Sequence, residues 1–468
     1  MSSDIHSIRA DPAAVSASPS PAKPEADLRR ILGLRDLVLM IIGTVIGSGI
    51  FLVPATILHE VGNSIALAMG IWLVGGVLSL LGALSYGELS AMKPDAGGLY
   101  VYIRDCFGPF LAFLFGWTLF LVISSGSVAT LAVAFSNYLG EFVTLTPWRA
   151  KFVSVAVIAV IAVVNVRGTR HSANVVNLTT TIKILALLLM SAALLWLGKT
   201  PIHLTAGATS PAPAGSLLSG FGLAMISVLW AYEGWQYATY SAGETVNARR
   251  NYPLAFLIGS AALMFIYLFA NVGYLAALGA NGIASSKRVA ATAVATAIHP
   301  AIAKLVTLTI LISIFSAANS VVLTSPRVYY AMAKDRLFFK RLSEVHPRFG
   351  TPSFAVIAAA ACSAVLAASG TFEQLLTYVV FTSWIFYALA AACVFVYRRR
   401  EPNAHRPYRV LGYPFTPLIF VVTAGAVVAN AMVAQPRRAA IGIGIVLLGA
   451  PVYLIWRRGA ARGATGSS

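Results

Sequence analysis

Three observations predict an all-α membrane protein of twelve transmembrane helices, built as a five-plus-five inverted repeat with broken helices 1 and 6. Apolar residues make up 58% of the 468 and charged residues only 11%, a balance outside ordinary soluble usage. Apolar runs such as 71–84, 152–164, 184–197, 354–368 and 441–455 recur along the chain, and with their flanks they approach the roughly 20 residues that carry a helix across a bilayer. Two runs, five spans apart, are interrupted by glycine-rich segments at equivalent positions. Lipid tolerates such interruptions only where the freed backbone groups face protein or a cavity.

In order, the predicted spans are 36–58, 64–90, 109–138, 152–167, 176–198, 217–241, 253–279, 301–330, 352–369, 374–397, 415–434 and 438–456. Ahead of them, Pro12, Pro19, Pro21 and Pro24 stand among Ala, Ser and charged residues, with no apolar stretch before Leu37. Residues 1–30 are therefore expected to be a disordered cytosolic tail and not a cleavable signal. Spans one to five form the first repeat (31–200) and spans six to ten the second (215–398). The last two spans (410–458) are peripheral and lead into a second cytosolic tail (459–468). Of the connections, only 199–216 and 280–300 are long enough to be external loops of any substance.

A formal charge of +18 would suit nucleic acid if it lay on one soluble face, but the basic residues fall in short connections. With a cytosolic N-terminus and twelve crossings, 25 of the 34 Lys and Arg lie on the cytosolic side, as the positive-inside rule requires. The expectation is a multi-pass protein of the cell (inner) membrane, both termini cytoplasmic, with no nucleic-acid partner. Basic clusters at 334–348, 398–409 and 457–462 are placed to meet anionic lipid head groups. Cys106, Cys362 and Cys393 lack metal-ligand spacing, and the seven histidines lie in loops, tails or span ends. No disulfide framework, metal site, cofactor or catalytic residue is expected.

The first interruption is Gly43-Thr44-Val45-Ile46-Gly47-Ser48-Gly49-Ile50-Phe51, followed by Pro54; the second is Trp230-Ala231-Tyr232-Glu233-Gly234-Trp235-Gln236, ahead of Gly243. Interrupted spans at matching positions of two halves point to a transporter with its site near the midplane. Where a helix restarts, its first amides have no intrahelical partner and carry partial positive charge. Ser48 and Gly49 are thus candidate donors to a carboxylate, with Gly47 and Gly49 keeping side chains out of the way. Freed carbonyls of Val45, Trp230, Ala231 and Glu233 are candidate acceptors for an ammonium group. Together they fit a zwitterionic α-amino acid, its side chain entering a pocket partly closed by Trp230.

Lys183 lies inside the fifth span, where a charge costs about 2.5–3.5 kcal/mol on insertion scales. It could stand in for a sodium ion by bridging the first and eighth spans, titrate during transport, or snorkel to the cytosolic edge about seven residues away. Glu233 could pair with an ammonium, relay a proton, or accept from amides of its own unwound turn. Glu88 and Glu244, at cytosolic span ends, read as anchors for nearby arginines such as Arg249.

At these residues the chain resembles the amino acid–polyamine–organocation superfamily, and within it the bacterial relatives of the L-type amino acid transporters. The resemblance rests on both interruptions together with Ser85-Tyr86-Gly87-Glu88-Leu89, Gly97-Gly98-Leu99-Tyr100-Val101-Tyr102, Lys183-Ile184-Leu185-Ala186-Leu187 and Thr324-Ser325-Pro326-Arg327. It implies a LeuT-like fold and sodium-independent amino-acid transport. It also implies a carboxylate site at Ser48 and Gly49, ammonium-binding carbonyls at Val45, Trp230 and Glu233, a sodium-replacing Lys183, and pocket positions at Ser383 and Trp384. Two departures bear on the substrate: Glu233 stands where animal members often have Gly, and Gln236 where several have Asn. Residues 140–151 contain no cysteine, so no disulfide-linked heavy chain is expected. The expected function is exchange or proton-linked symport of neutral L-amino acids. The alternatives are a cationic amino acid or polyamine carrier and, in a different class, an amino-acid sensor.

Overall fold

The computed structural model describes residues 30–202 and 217–465. The first apolar run does not form one helix. Helix α1 (Leu34–Val45) begins where the Gly33 amide donates to Asp36 Oδ2 at 2.8 Å. It ends ahead of Ile46, Gly47 and Ser48, and α2 (Gly49–Glu60) restarts at 44° to it. Helix α3 (Ile65–Met92) crosses next, capped by the Ser64 hydroxyl, and the short amphipathic α4 (Leu99–Phe107) follows.

Pro109 opens α5 (Pro109–Leu139), which contains a π-helical turn at Leu119–Ile123. Pro147 and the Thr146 cap start α6 (Pro147–Val166). Helix α7 (Thr169–Leu197) begins seven residues earlier than the predicted fifth span. The polar residues that hid this first turn are engaged by protein: Ser172 bonds Asn165 and Arg170 bonds Asp36, which Asn177 also reaches from the next turns.

Helix α8 (Leu217–Ala231) gives way at Tyr232–Gly234, with Gly234 at φ 130°, to a 3-10 stretch, Trp235–Glu244. The predicted sixth span, 217–241, is therefore half α-helix and half tighter coil. Then come α9 (Ala248–Ala284), α10 (Val289–Ala297), α11 (Pro300–Lys334), α12 (Ser353–Ser369), α13 (Phe372–Arg400), α14 (Phe415–Ala434) and α15 (Pro436–Arg457). Among the described residues, nine helices are long and apolar enough to cross a membrane, and the bent α1–α2 pair makes a tenth. Helix α12, at 17 residues, and α8, at 15, are too short to be counted on length alone.

Helix α1 sits against α7, α9 and α11, and α2 against α8 and α9, so the two interruptions lie together inside the bundle. Some 78% of the apolar stretch of α5 is buried, against 28% and 22% for α14 and α15, which places α5 centrally and the last two helices at the periphery. Outward faces carry large apolar groups such as Trp196, Leu189, Phe265, Val365 and Val433. Lipid is the solvent that such a surface matches.

The side on which α1 begins is closed by charge. Arg327 and Glu244 pair at 2.7 Å, both almost fully buried, and Thr169 Oγ1 donates to the same carboxylate at 2.8 Å. Arg398 pairs with Glu88 at 2.7 Å and Arg406 lies at 3.5 Å. Both glutamates thus anchor arginines, but the partner of Glu244 is Arg327 from α11 and not the exposed Arg249. The chain ahead of α1 zips onto the same region, Leu32 N donating to Glu244 O at 2.9 Å and Val246 N to Leu32 O at 2.9 Å.

Removing one partner of a buried pair costs about 3–5 kcal/mol. Arg327→Met should therefore lower the thermal midpoint of the detergent-solubilised protein sharply, and Glu244→Gln added to it should recover most of the loss. An equal fall in the single and double variants would show that the stranded charge is not the cause.

Candidate functional site

Between the two interruptions lies a small cavity of about 20 Å³, room for roughly one water molecule. Thr44, Val45, Gly47, Ser48 and Gly49 line it from the first interruption and Trp230, Glu233, Gly234 and Tyr237 from the second; Ser127, Leu131 and Val321 complete it from α5 and α11. The structure thereby brings together Gly47, Ser48, Gly49, Val45, Trp230 and Glu233. Ala231 packs at the edge, where a methyl group on Gly49 would sit 2.6 Å from its Cα.

Because α2 begins at Gly49, the Gly49 and Ile50 amides have no acceptor within the helix, while Phe51 N already donates to Ser48 O at 3.2 Å, so the start of the helix presents positive charge beside the cavity. The Ser48 hydroxyl is buried and without a partner in the protein. On the other side are the carbonyls released by α1 and α8. Donors and acceptors thus stand a few atoms apart, the arrangement that a small dipolar molecule requires.

Lys183 does not snorkel. It is fully buried, and its Nζ donates to Gly43 O at 2.6 Å and Ile46 O at 2.7 Å. From α11, Ser313 Oγ donates to Ile46 O at 2.9 Å. The ammonium therefore occupies the carbonyl cage where α1 unwinds and links α7 to α1, while the bridge to α11 is made by Ser313 on the shared Ile46 carbonyl.

Glu233 lines the cavity, and one of its oxygens is already engaged: Oε1 accepts from Tyr387 Oη at 2.5 Å and from Gln236 Nε2 at 2.9 Å. Gln236 Oε1 in turn accepts from the Gly234 amide at 3.2 Å. Gln236 is thus a brace for the second interruption and not part of the lining. Ser383 bonds the Val380 carbonyl, and Trp384 lies in an apolar cleft with Val380, Phe381 and Val427. Neither lines the cavity, although Trp384 meets the Tyr387 ring edge-on at 6.3 Å.

Sequence reading did not reach Thr44, Ser127, Leu131, Tyr237, Val321 or Tyr387. For Ser127 a signal was present: Ser124, Ser125, Gly126 and Ser127 form a small polar run inside a span, next to the π turn, and such turns gather at functional sites.

On the side away from the charge seals, a vestibule of about 750 Å³ reaches down between Glu60, Tyr138, Lys287, Glu373 and Arg438. Phe372 lines the vestibule and Trp230 the cavity; their rings meet edge-on at 6.3 Å. One aromatic pair stands between the two spaces.

The amino acid permease family matches residues 32–455 of this chain. The serine/threonine exchanger SteT of Bacillus subtilis (strain 168) is 32% identical over 429 residues, spanning 91% of this chain and 96% of that protein. The human cystine/glutamate transporter is 32% identical over 449 residues, 93% of this chain and 87% of that protein. The human Asc-type amino acid transporter 1 is 28% identical over 447 residues, 93% and 84% respectively.

Gly49→Ala should abolish transport by pushing α2 off Ala231 while the protein still folds as a monodisperse species. Uptake and gel filtration on the same preparation check this; retained uptake would show that the close approach of α2 to α8 is dispensable.

Proposed function

Because this chain belongs to the amino acid permease family, we propose that it moves neutral L-amino acids without sodium, as an exchanger or proton-linked symporter, alternating access around the cavity between its interruptions. Amino-acid transport itself follows from the family, and no enzymatic step is needed. The observation that carries the finer reading is Lys183 Nζ among the carbonyls of Gly43 and Ile46. A cage that holds a protein cation repels a second one. The substrate carboxylate is assigned to the amides of Ser48 and Gly49, with Gly47, whose own amide donates to Val45 O, leaving room beside them, and its ammonium to the carbonyls of Val45, Trp230, Ala231 and Glu233.

Trp230 is the gate in this reading. A cavity with room for about one water has to widen to admit an amino acid, and in this reading it does so when Trp230 leaves Phe372. Gln236 shapes the pocket through Glu233, and Trp384 and Ser383 act from behind it through Tyr387. Neutral substrates are favoured because the Glu233 carboxylate is held by Tyr387 and Gln236. Glu233 does line the cavity, which sustains a second reading, a cationic amino acid or polyamine; competition by arginine or putrescine, but not by serine, would establish it.

The two repeats are assigned to 31–200 and 215–398. The basic-residue distribution supports a cell-membrane orientation with both termini cytoplasmic, the vestibule facing outward and the basic clusters on anionic lipid. The absence of cysteine from 140–151 supports a transporter that works without a disulfide-linked heavy chain.

Proteoliposomes test this. Saturable uptake of L-serine without sodium is expected, accelerated by internal amino acid if the protein exchanges or by an inward proton gradient if it is a symporter. Lys183→Ala should lose at least about 90% of uptake, since it strands the buried Gly43 carbonyl and leaves Ile46 O to Ser313 alone. Uptake that requires sodium in the wild type would overturn the assignment of Lys183.

A further inference from the structure

We propose that the cytosolic edge of the bundle holds one anionic phospholipid, its phosphate shared between Lys340 and Arg341 of the α11–α12 connection and Arg457 at the end of α15. The inference sharpens the proposed placement of the basic clusters on anionic lipid to one site, and takes its side of the membrane from that reading. In the sequence the clusters 334–348 and 457–462 lie far apart. The structure joins them through three aromatic rings: Trp456 meets Phe339 edge-on at 5.0 Å and Phe338, tilted, at 5.7 Å.

Both segments run in the same order, an aromatic residue followed at once by a cation: Phe339-Lys340-Arg341 and Trp456-Arg457. Consecutive Cα atoms are only about 3.8 Å apart, so rings in contact bring the long side chains that follow them within reach of one small group. The single 3-10 turn Lys340–Ser343 keeps Lys340 and Arg341 beside the rings. A tryptophan at the end of a spanning helix, flanked by cations, marks the boundary between hydrocarbon and water. One turn back, Tyr453 packs on Phe110 at 5.2 Å and Phe113 at 5.5 Å, which fixes the end of α15 against the start of α5. Phe339, Leu454 and Ile455 are exposed, an apolar strip beside the cations onto which acyl chains fit.

The protein answers little of this charge. Among the described residues, Lys340, Arg341 and Arg457 are exposed, and their side chains form no ion pair or hydrogen bond. Of the acids nearby, Asp335 is taken by Arg104 at 2.7 Å and Tyr100 at 2.8 Å. That leaves Glu344 against Arg336, Lys340, Arg341, Arg348 and Arg457. Like charges gathered at an apolar edge repel one another unless an anion stands between them. A phosphodiester head group is such an anion, and its chains complete the apolar half of the contact; free phosphate offers only the first. The connection continues α11, which carries Arg327 of the cytosolic seal. A head group that holds Phe339 against Trp456 therefore steadies the sealed arrangement.

Thermal midpoints of the full-length protein in detergent test this, with dioleoyl-phosphatidylglycerol, dioleoyl-phosphatidylcholine or inorganic phosphate added. The variants are Lys340→Gln/Arg341→Gln, Arg457→Gln, the triple combination and, as a control on exposed cations elsewhere, Arg399→Gln/Arg409→Gln. Phosphatidylglycerol should raise the wild-type midpoint by about 3–5 °C, and the other two additions should leave it unchanged. Because one phosphate is shared, the connection pair, the single and the triple variant should each lose the whole rise. All three should start from the wild-type midpoint in detergent alone, and the control should keep the rise.

A rise with inorganic phosphate would show an ion site in place of a lipid site. Losses that add from the connection pair to Arg457→Gln, or an equal loss in the control, would show diffuse attraction with no shared site. A lower starting midpoint in the variants would show that the cations brace the fold. Each of these results overturns the proposal. Detergent has no sides and a midpoint needs no transport, so failure here is separate from failure of the orientation or of the function.

Discussion

An unwound backbone segment inside a bilayer has no water to satisfy it, and this bundle is organised around the residues that do so instead. Gly43, Val45 and Ile46 release their carbonyls where α1 stops, and three helices send a donor to them: Lys183 from α7, Ser313 from α11 and Tyr267 from α9. Each such group left bare would cost several kcal/mol. The interruption can therefore exist only if α7, α9 and α11 pack around α1, as they do. The binding geometry and the core packing are consequently one problem with one solution.

The second interruption is stabilised differently. No cation enters it; Gly234 turns the chain at a φ that side chains resist, and Glu233, Gln236 and Tyr387 close a neutral-to-acidic hydrogen-bonded set beside it. The electrostatic complement is sensible, since the ammonium of an amino acid belongs on the side away from Lys183. Both donors converge on one oxygen of the acid, Oε1.

Much of this was legible in the residues. Glycine clusters inside apolar runs located both interruptions, and a lysine with no charged neighbour inside a span announced a buried role, because such a residue is costly in lipid. What could not be read was geometry carried by ordinary residues. Tyr267 and Tyr387 sit in apolar helices where a tyrosine is unremarkable by composition, and only the fold aims their hydroxyls at the carbonyls of Val45 and Ala231 or at Glu233. The start of α7 was missed because Arg170, His171, Ser172 and Asn174 look like loop; Arg170 and Ser172 spend their polarity on Asp36 and Asn165 within the bundle. Ser383 and Trp384 came from resemblance alone, and their helix turns them behind Tyr387 instead of into the cavity.

The connections to α1 also constrain how the proposed alternation can proceed. Leu32 and Val246 pair the chain ahead of α1 with the end of the 3-10 stretch, Tyr267 joins the inner ends of α1 and α8, and the Gly234 turn packs on Thr44. The first and second interruptions are thus fastened to each other at both the surface and the midplane. Lys183 and Ser313, in contrast, fasten α1 to α7 and α11, which belong to the surrounding bundle. Moving α1, α8 and the 3-10 stretch together keeps the Leu32–Val246 pairing and the Gly234–Thr44 contact, but it strains the bonds that tie them to other helices: Lys183 from α7, Ser313 from α11, Tyr267 from α9 and Tyr387 from α13, along with the Arg327–Glu244 pair. Alternation in this reading therefore has to exchange the donors of the unwound carbonyls, and Lys183 lies where α1 meets the surrounding bundle.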